Sequence, residues 1–341
     1  MNAPLDPSTI LQTAFGFWNS KVLLTAVELG LFTVLGRRRL AGAELGSQLG
    51  LHPRGIQDFF DALVAMKFLG RDGGGPQACY FNTSEGAVYS DETSPRYIGG
   101  ILTMLNARLF KYWHDLPEAL RTGQPQNEVK YGEKGIFEAL YKDPVKLENF
   151  LNAMTGLSRL NFEAFAEKFD FSKFNVLCDI GGATGLLCTE VARKHPHLKC
   201  VTWDLPVVEP IARRRIAAAG LSDRVSAASG DFFQDALPKA DLITMGMILH
   251  DWNLEKKLRL IRAAYDALPP GGALVAIENI IDDARRENVF GLLMSLNMLI
   301  EFGDAFDFSG ADFREWCTQV GFKRFDLIHL AGPCSAAVAY K

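Results

Sequence analysis

Three acids stand at corresponding points of three successive apolar runs: Asp179 in Val176-Leu-Cys-Asp-Ile-Gly-Gly-Ala-Thr-Gly185, Asp204 in Trp203-Asp-Leu-Pro206, and Asp231 in Gly230-Asp-Phe-Phe233. A fourth run, Leu242-Ile-Thr-Met-Gly-Met-Ile-Leu249, leads into His250-Asp251-Trp252. Carboxylates at the ends of buried strands sit where open parallel sheets bind ligands. A histidine at such a strand end suits proton transfer, because its ordinary pKa lies near neutrality. Glu278 closes the next apolar run, and Asp307 lies in Phe302-Gly-Asp-Ala-Phe-Asp-Phe308. Either carboxylate can hydrogen-bond the imidazole and fix its tautomer.

The glycine turn after Asp179 narrows the ligand. A dinucleotide fingerprint needs glycines at the first, third and sixth positions. Counted from Gly181 these are Gly181, Ala183 and Leu186, so the fingerprint fails. An acid two residues before the turn repels a pyrophosphate and suits a phosphate-free, positively charged nucleoside. S-adenosylmethionine, with its amino group and sulfonium, has both properties. Asp204 then accepts from the ribose hydroxyls, and Asp231 takes the adenine amino group while Phe232 packs on the ring. Singly, Asp204 also reads as a helix cap and Asp231 as a turn acid; three acids in series favour the site.

From about residue 172, strand-like runs alternate with helical ones. Strands are expected at 175–180, 199–204, 224–228, 241–248, 272–278, 324–330 and 335–340, with helices that include 185–194, 207–219, 254–267 and 310–320. The alternation predicts an α/β fold with a doubly wound, mostly parallel sheet. Only Ala331-Gly-Pro-Cys334 separates the last two strands, which forces one of them antiparallel. Upstream, residues 8–35 carry a broad helical stripe including Phe15, Phe17 and Trp18, more than a small module buries by itself, and this predicts a subunit interface. Residues 40–50 and 53–69, a glycine tip at 71–76 and the run 78–81 predict a winged helix-turn-helix. Its second helix offers Arg54 and Lys67 against exposed Asp58 and Asp61, which favours a dimerisation or lid module over DNA binding. Residues 95–165 read as helices anchored by Trp113, Phe137, Tyr141, Phe150, Met154 and Phe162, apolar enough to wall a substrate pocket.

At 341 residues the chain suits two domains, and a net charge of -4 provides no broad basic field for nucleic acid or anionic membrane. A small-molecule partner is expected. The six cysteines include no C-x-x-C pair, and most stand in apolar surroundings, as reduced buried thiols do. The N-terminal residues lack a secretory pattern, and no stretch is long and apolar enough to span a bilayer, so a cytoplasmic location is expected. His250 has no second histidine near it in sequence, and no metal is expected.

The ordered set of winged-helix module, helical linker, Asp179-Ile-Gly-Gly-Ala-Thr-Gly185, Asp204-Leu-Pro206, Gly230-Asp-Phe232, Leu249-His-Asp-Trp252, Pro269-Pro-Gly-Gly272 and Gly321-Phe322 resembles the S-adenosylmethionine-dependent O-methyltransferases of the caffeate and acetylserotonin type. The resemblance covers nearly the whole chain. It implies a Rossmann-like class I methyltransferase sheet behind an N-terminal winged-helix dimerisation domain, divided as 1–95, a linker at 96–170 and a catalytic domain at 171–341. It implies a cofactor site of Asp179, Gly181, Gly182, Asp204, Leu205, Asp231, Phe232 and Met245, touched by Met154 and Ser158 from the linker. His250 is the implied base, flanked by Glu278 and Asp307, in a homodimer where the N-terminal module of one subunit closes the partner's substrate pocket.

The implied reaction is O-methylation of a small-molecule hydroxyl. S-methylation of a thioether such as 4-methylthio-2-hydroxybutyrate, with Arg108 or Arg159 meeting an acidic substrate, and C-methylation stay open beside it. A DNA-binding regulator is more distant. Three positions depart from the family pattern. Ala183 replaces the third glycine, which ordinary backbone angles would tolerate. Gly246 stands where plant members carry a lysine, and Asp307, within Ala305-Phe-Asp-Phe308, replaces the glutamate of a Glu-Arg-Thr sequence.

Overall fold

The computed structural model describes residues 5–132 and 140–341; Phe137, one of the expected linker anchors, lies outside them. The chain divides into two compact units, Met1–Lys111 and Tyr112–Lys341.

In the first unit the long apolar stripe breaks into helices Ser8–Glu28 and Leu31–Leu35, because Gly30 takes φ 67° between them. Ala26, Val27, Leu31, Phe32 and Leu35 enter a core shared with Phe60, Leu63 and Tyr80. Ile10, Phe17 and Trp18 stay 73%, 56% and 56% exposed, leaving an uncovered apolar face. Helices Gly42–Gln48 and Pro53–Ala65 pack closely, since a Cβ on Gly46 would stand 2.2 Å from Ile56. A three-stranded sheet of β1 (Leu40–Ala41), β2 (Leu69–Asp72) and β3 (Cys79–Asn82), in the order β1-β3-β2, forms the wing. On the helix Pro53–Ala65, Arg54 pairs with Asp58, and Asp61 accepts from Arg71 and Tyr80.

The second unit is built on β4 (Val176–Ile180), β5 (Lys199–Asp204), β6 (Val225–Ser229), β7 (Leu242–Gly246), β8 (Ala273–Glu278), β9 (Arg324–His329) and β10 (Ser335–Tyr340). Their order is β6-β5-β4-β7-β8-β10-β9, with β10 antiparallel to both neighbours and the other pairings parallel. The central strands are buried almost throughout, which is why they read as continuous apolar runs. One core cluster contains Ile243, Met245, Leu260 and Trp316, and another contains Phe165, Leu177, Leu187 and Val275. Chain direction across the sheet switches between β4 and β7, the place where open sheets of this class bind ligands. Register sets Asp179 beside Thr202 on one side and Thr244 on the other.

Two local features differ from the sequence expectation. The strand expected at 241–248 ends at Gly246, because Met247 takes φ 56° and turns the chain out of the sheet. A helix at Val289–Phe302 does not stand out in the sequence, since it is apolar on nearly every side and presents no polar period.

Phe165 is fully buried on the helix Pro144–Lys168, its ring 5.1 Å from Phe169 and 5.3 Å from Phe171. Phe165→Ala should destabilise the second unit by about 3–5 kcal/mol in denaturant unfolding. A loss below about 1 kcal/mol would show that this aromatic cluster does not seat the helix.

Candidate active site

β4 delivers Asp179, which is 3% exposed, and Thr244 Oγ1 donates to its Oδ1 at 2.7 Å. Burial, with Asp204 nearby, pushes the Asp179 carboxyl up to about 7. The chain then turns through Gly181 (φ 69°), Ala183 (φ 49°) and Gly185 (φ 75°). A Cβ on Gly181 would lie 2.3 Å from Ile248 Cδ1, and one on Gly182 would lie 2.1 Å from Thr202 Oγ1, so neither position admits a side chain.

Ala183 lacks the ordinary backbone angles under which an alanine is tolerated in place of the third glycine. It is left-handed, which costs an L-residue roughly 1–2 kcal/mol. What holds it there is Asp204, whose Oδ2 accepts from the Ala183 N–H at 2.9 Å while Oδ1 accepts from the Leu205 N–H at 2.7 Å. Burial raises the Asp204 carboxyl as well. A carboxylate has about four lone-pair sites, so Asp204 keeps room for two further donors. Thr184 Oγ1 shares a 2.8 Å hydrogen bond with Thr155 on the helix Pro144–Lys168, the helix that carries Met154 and Ser158. Thr202 Oγ1 is buried and finds no hydrogen-bond partner among the described residues. A turn bare of Cβ atoms at Gly181 and Gly182, flanked by buried acids and an unpartnered hydroxyl, fits a cationic nucleoside.

Other expected cofactor residues are placed differently. Asp231 accepts from Phe233 N–H through Oδ1 and from Gln234 Nε2 through Oδ2, both at 2.8 Å, so its carboxylate already braces the turn. Phe232 is half-buried, edge-on to Phe233 at 4.8 Å and to Trp252 at 6.0 Å. Met245 is fully buried in the core and has no surface to offer a ligand. Beside Gly246 lies the Phe162 ring, 3.1 Å from where a Cβ would be, so this aromatic fills space that a longer residue at 246 would need.

The histidine is positioned through its backbone. Glu278 Oε1 accepts from the N–H groups of Ile248, Leu249 and His250 at 3.1, 3.0 and 3.4 Å. Glu278 thus holds the short 3-10 turn Leu249–Asp251 rather than the imidazole ring. The ring nitrogens both face carboxylates: Nδ1 is 3.5 Å from Asp307 Oδ1, and Nε2 is 3.4 Å from Asp251 Oδ1. His250, Glu278 and Asp307 are 5%, 1% and 2% exposed. His250 Nδ1, Glu278 Oε2 and both Asp307 oxygens find no hydrogen-bond partner among the described residues. Burial opposes the imidazolium, but Glu278, Asp251 and Asp307 outweigh it and push His250 up to about 10. Burial and the neighbouring acids raise Glu278 to about 7, and burial foremost raises Asp251 to about 6.

Asp307 is placed by its loop. Its N–H donates to Ser295 Oγ at 3.2 Å, and Phe308 O accepts from Ile281 N–H at 3.0 Å. Phe308 is buried against Phe313 and Trp316, with ring centroids at 6.2 and 5.2 Å.

Two residues of this cluster were not singled out from sequence. Asp251 had a signal, its adjacency to His250, but only the 3-10 turn aims it at Nε2. Lys257 is fully buried and donates from Nζ to the carbonyls of Trp252 and Phe306, lying 3.5 Å from the centre of the Phe306 ring. Burial lowers it to about 8 against the pull of Glu278, Asp307 and Asp251. Of the cations considered for an acidic substrate, Arg159 lies 3.5 Å from Glu190, and Arg108 belongs to the first unit.

His250, Glu278 and Asp307 present ligand atoms within 4.8 Å of one another, close enough for a metal ion. An imidazole must shed its proton to ligate a metal. The same carboxylates that would share the ion also strengthen the imidazole's hold on its proton.

Comparison with known proteins identifies the family. The O-methyltransferase domain family matches residues 113–323, and the O-methyltransferase dimerisation domain family matches residues 11–91. The tetracenomycin polyketide synthesis 8-O-methyl transferase TcmO of Streptomyces glaucescens is 37% identical, with 98% of this chain and 97% of that protein aligned. Acetylserotonin O-methyltransferase of Bos taurus is 32% identical, again over 98% and 97%. The crystal structure of human N-acetylserotonin methyltransferase in complex with SAM superimposes with a TM-score of 0.90 at 28% identity, covering 100% of this chain and 99% of that one. The chain belongs to the S-adenosylmethionine-dependent O-methyltransferase family whose members carry an N-terminal dimerisation domain.

Proposed function

We propose that this protein transfers the methyl group of S-adenosylmethionine to a hydroxyl of a small molecule, with His250 receiving the hydroxyl proton. The observation that carries the reading is the buried imidazole of His250 beyond β7, across the switch point from the glycine turn that follows β4. Bound at that turn, S-adenosylmethionine supplies an electrophilic methyl on a cationic sulfur. Gly181 and Gly182 admit it closely, Asp179 lends negative charge, and Asp204 with Leu205 presents lone pairs to its ribose. Asp231 and Phe232 flank the adenine, Met154 and Ser158 approach from the helix Pro144–Lys168, and Met245 supports the site from the core.

A neutral hydroxyl becomes a competent nucleophile as its proton leaves. The His250 imidazole gains that proton, Asp307 stabilises the imidazolium at Nδ1, and Glu278 keeps the backbone turn in place. With its pKa near 10, His250 is protonated at neutral pH in the free enzyme, and a neighbouring sulfonium opposes that protonation.

A second reading, S-methylation of a thioether, has its own support. Both ring nitrogens face carboxylates, and Asp251, Glu278 and Asp307 outnumber the cations His250 and Lys257. A thioether loses no proton and keeps the positive charge as a sulfonium, which such an excess of carboxylate stabilises.

A homodimer is supported by the uncovered face of Phe15, Phe17 and Trp18 within the dimerisation-domain match. The paired Arg54 counts against nucleic acid as a partner. Six free cysteines, five of them buried, support a reducing, cytoplasmic setting. The functional division at 95 and 170 assigns Met154 and Ser158 to a linker, although its helix Pro144–Lys168 packs within the second compact unit.

His250→Ala should lower turnover by about 10²–10⁴ while leaving S-adenosylhomocysteine affinity nearly unchanged in calorimetry. Near-normal turnover would remove the base. A panel of phenols, hydroxy acids and thioethers should show kcat/KM rising about tenfold per pH unit between roughly pH 7 and 9 for a hydroxyl acceptor, because the neutral fraction of His250 grows that way below its pKa. A flat profile with a preferred thioether would establish the second reading instead.

A further inference from the structure

The loop carrying His250 leaves β7, and the loop carrying Asp307 precedes the helix Gly310–Val320. The loops meet at the ion pair of His250 Nδ1 and Asp307 Oδ1, but at 3.5 Å and without a hydrogen bond that contact does not fix their spacing by itself. Something else must hold the loops together. We propose that Lys257 is a positioning residue for methyl transfer, its buried ammonium joining the carbonyls of Trp252 and Phe306 and so fixing the spacing of His250 and Asp307.

Lys257 stands on the helix Leu254–Ala267, and no part of it is exposed. Burying an ammonium is costly unless its donors are used. Two are used on the loops in question: one on Trp252, two residues after His250, and one on Phe306, immediately before Asp307. The ammonium also lies over the Phe306 ring at 3.5 Å, which holds that side chain down. The same helix start supplies a second clasp. Asn253, its N-cap, donates from Nδ2 to Asp304 Oδ2 at 2.7 Å. Lys257 therefore bridges the two loops from a rigid helix.

Its charge acts on the same groups. Glu278 from β8, Asp307 and Asp304 from the second loop and Asp251 from the first all draw on the ammonium. His250 is the other cation among these carboxylates. Without Lys257, His250 would face them alone and hold its proton more tightly. The inference rests on His250 and Asp307 working together, but its readouts include one that needs no turnover.

The test replaces the ammonium with a similar apolar volume, Lys257→Met. kcat should fall about 10–100-fold through misplacement of the pair, with S-adenosylhomocysteine affinity held within about threefold. The His250 ring, followed by NMR with isotope-labelled histidine, should titrate at higher pH than in the wild type. A Lys257→Met protein that binds S-adenosylhomocysteine, turns over normally and leaves the His250 titration unmoved would overturn the proposal. Should that variant fail to fold, Lys257→Gln keeps one donor for the two carbonyls without the charge and should lower kcat several-fold at unchanged cofactor affinity; wild-type kcat with an unmoved His250 titration there would also overturn it. Failure of the base assignment shows separately, as near-normal turnover in His250→Ala, and does not alter the expected titration shift.

Discussion

An imidazole held between carboxylates, out of reach of water, is the constraint on which the rest of the site depends. Removing an ion from water costs several kcal/mol even after the protein relaxes. One carboxylate at about 3.5 Å returns roughly 5 kcal/mol at an effective dielectric near 20. Glu278, with Asp251 and Asp307 at 3.4 and 3.5 Å, therefore outweighs burial and pushes His250 up to about 10, toward the imidazolium. The balance holds only while these carboxylates keep their distance, so the surrounding elements are concerned with fixing loops. Glu278 gathers three successive N–H groups, Ser295 takes the Asp307 N–H, and Lys257 ties one loop to the other.

The opposite wall follows similar logic with backbone in place of side chain. The turn after β4 must pass close to Ile248 and Thr202, which excludes a Cβ at Gly181 and Gly182. It also forces Ala183 into left-handed geometry, and Asp204 stabilises that strained residue by accepting its N–H. Asp204 thus shapes the turn and, in the proposed site, keeps lone pairs for the cofactor. Since Ile248 belongs to the segment that Glu278 holds, the two walls meet through a single side chain.

Much of this was legible in the sequence, for identifiable reasons. Buried parallel strands must be apolar along their length, so β4, β7 and β8 announced themselves, and Asp179 stood out as the one acid in β4. The four-residue link ending at Cys334 was enough to make one of the last two strands antiparallel, and that strand is β10. What stayed hidden depends on tertiary context. Lys257 looks like a solvated helix lysine beside Lys256 until the fold buries it. The partner of Glu278 is backbone, which no residue type reveals. Ala183 gives no sign of its φ, and Val289–Phe302 has no polar face to give it a period.

The most direct measurement is the titration of His250 by NMR in the free enzyme with isotope-labelled histidine, its signal assigned through His250→Gln. The account predicts an imidazolium through neutral pH that loses its proton near pH 10, and at lower pH once S-adenosylmethionine is bound. Titration near the ordinary histidine value of about 6.5 would contradict it, because the carboxylates would then not govern the ring.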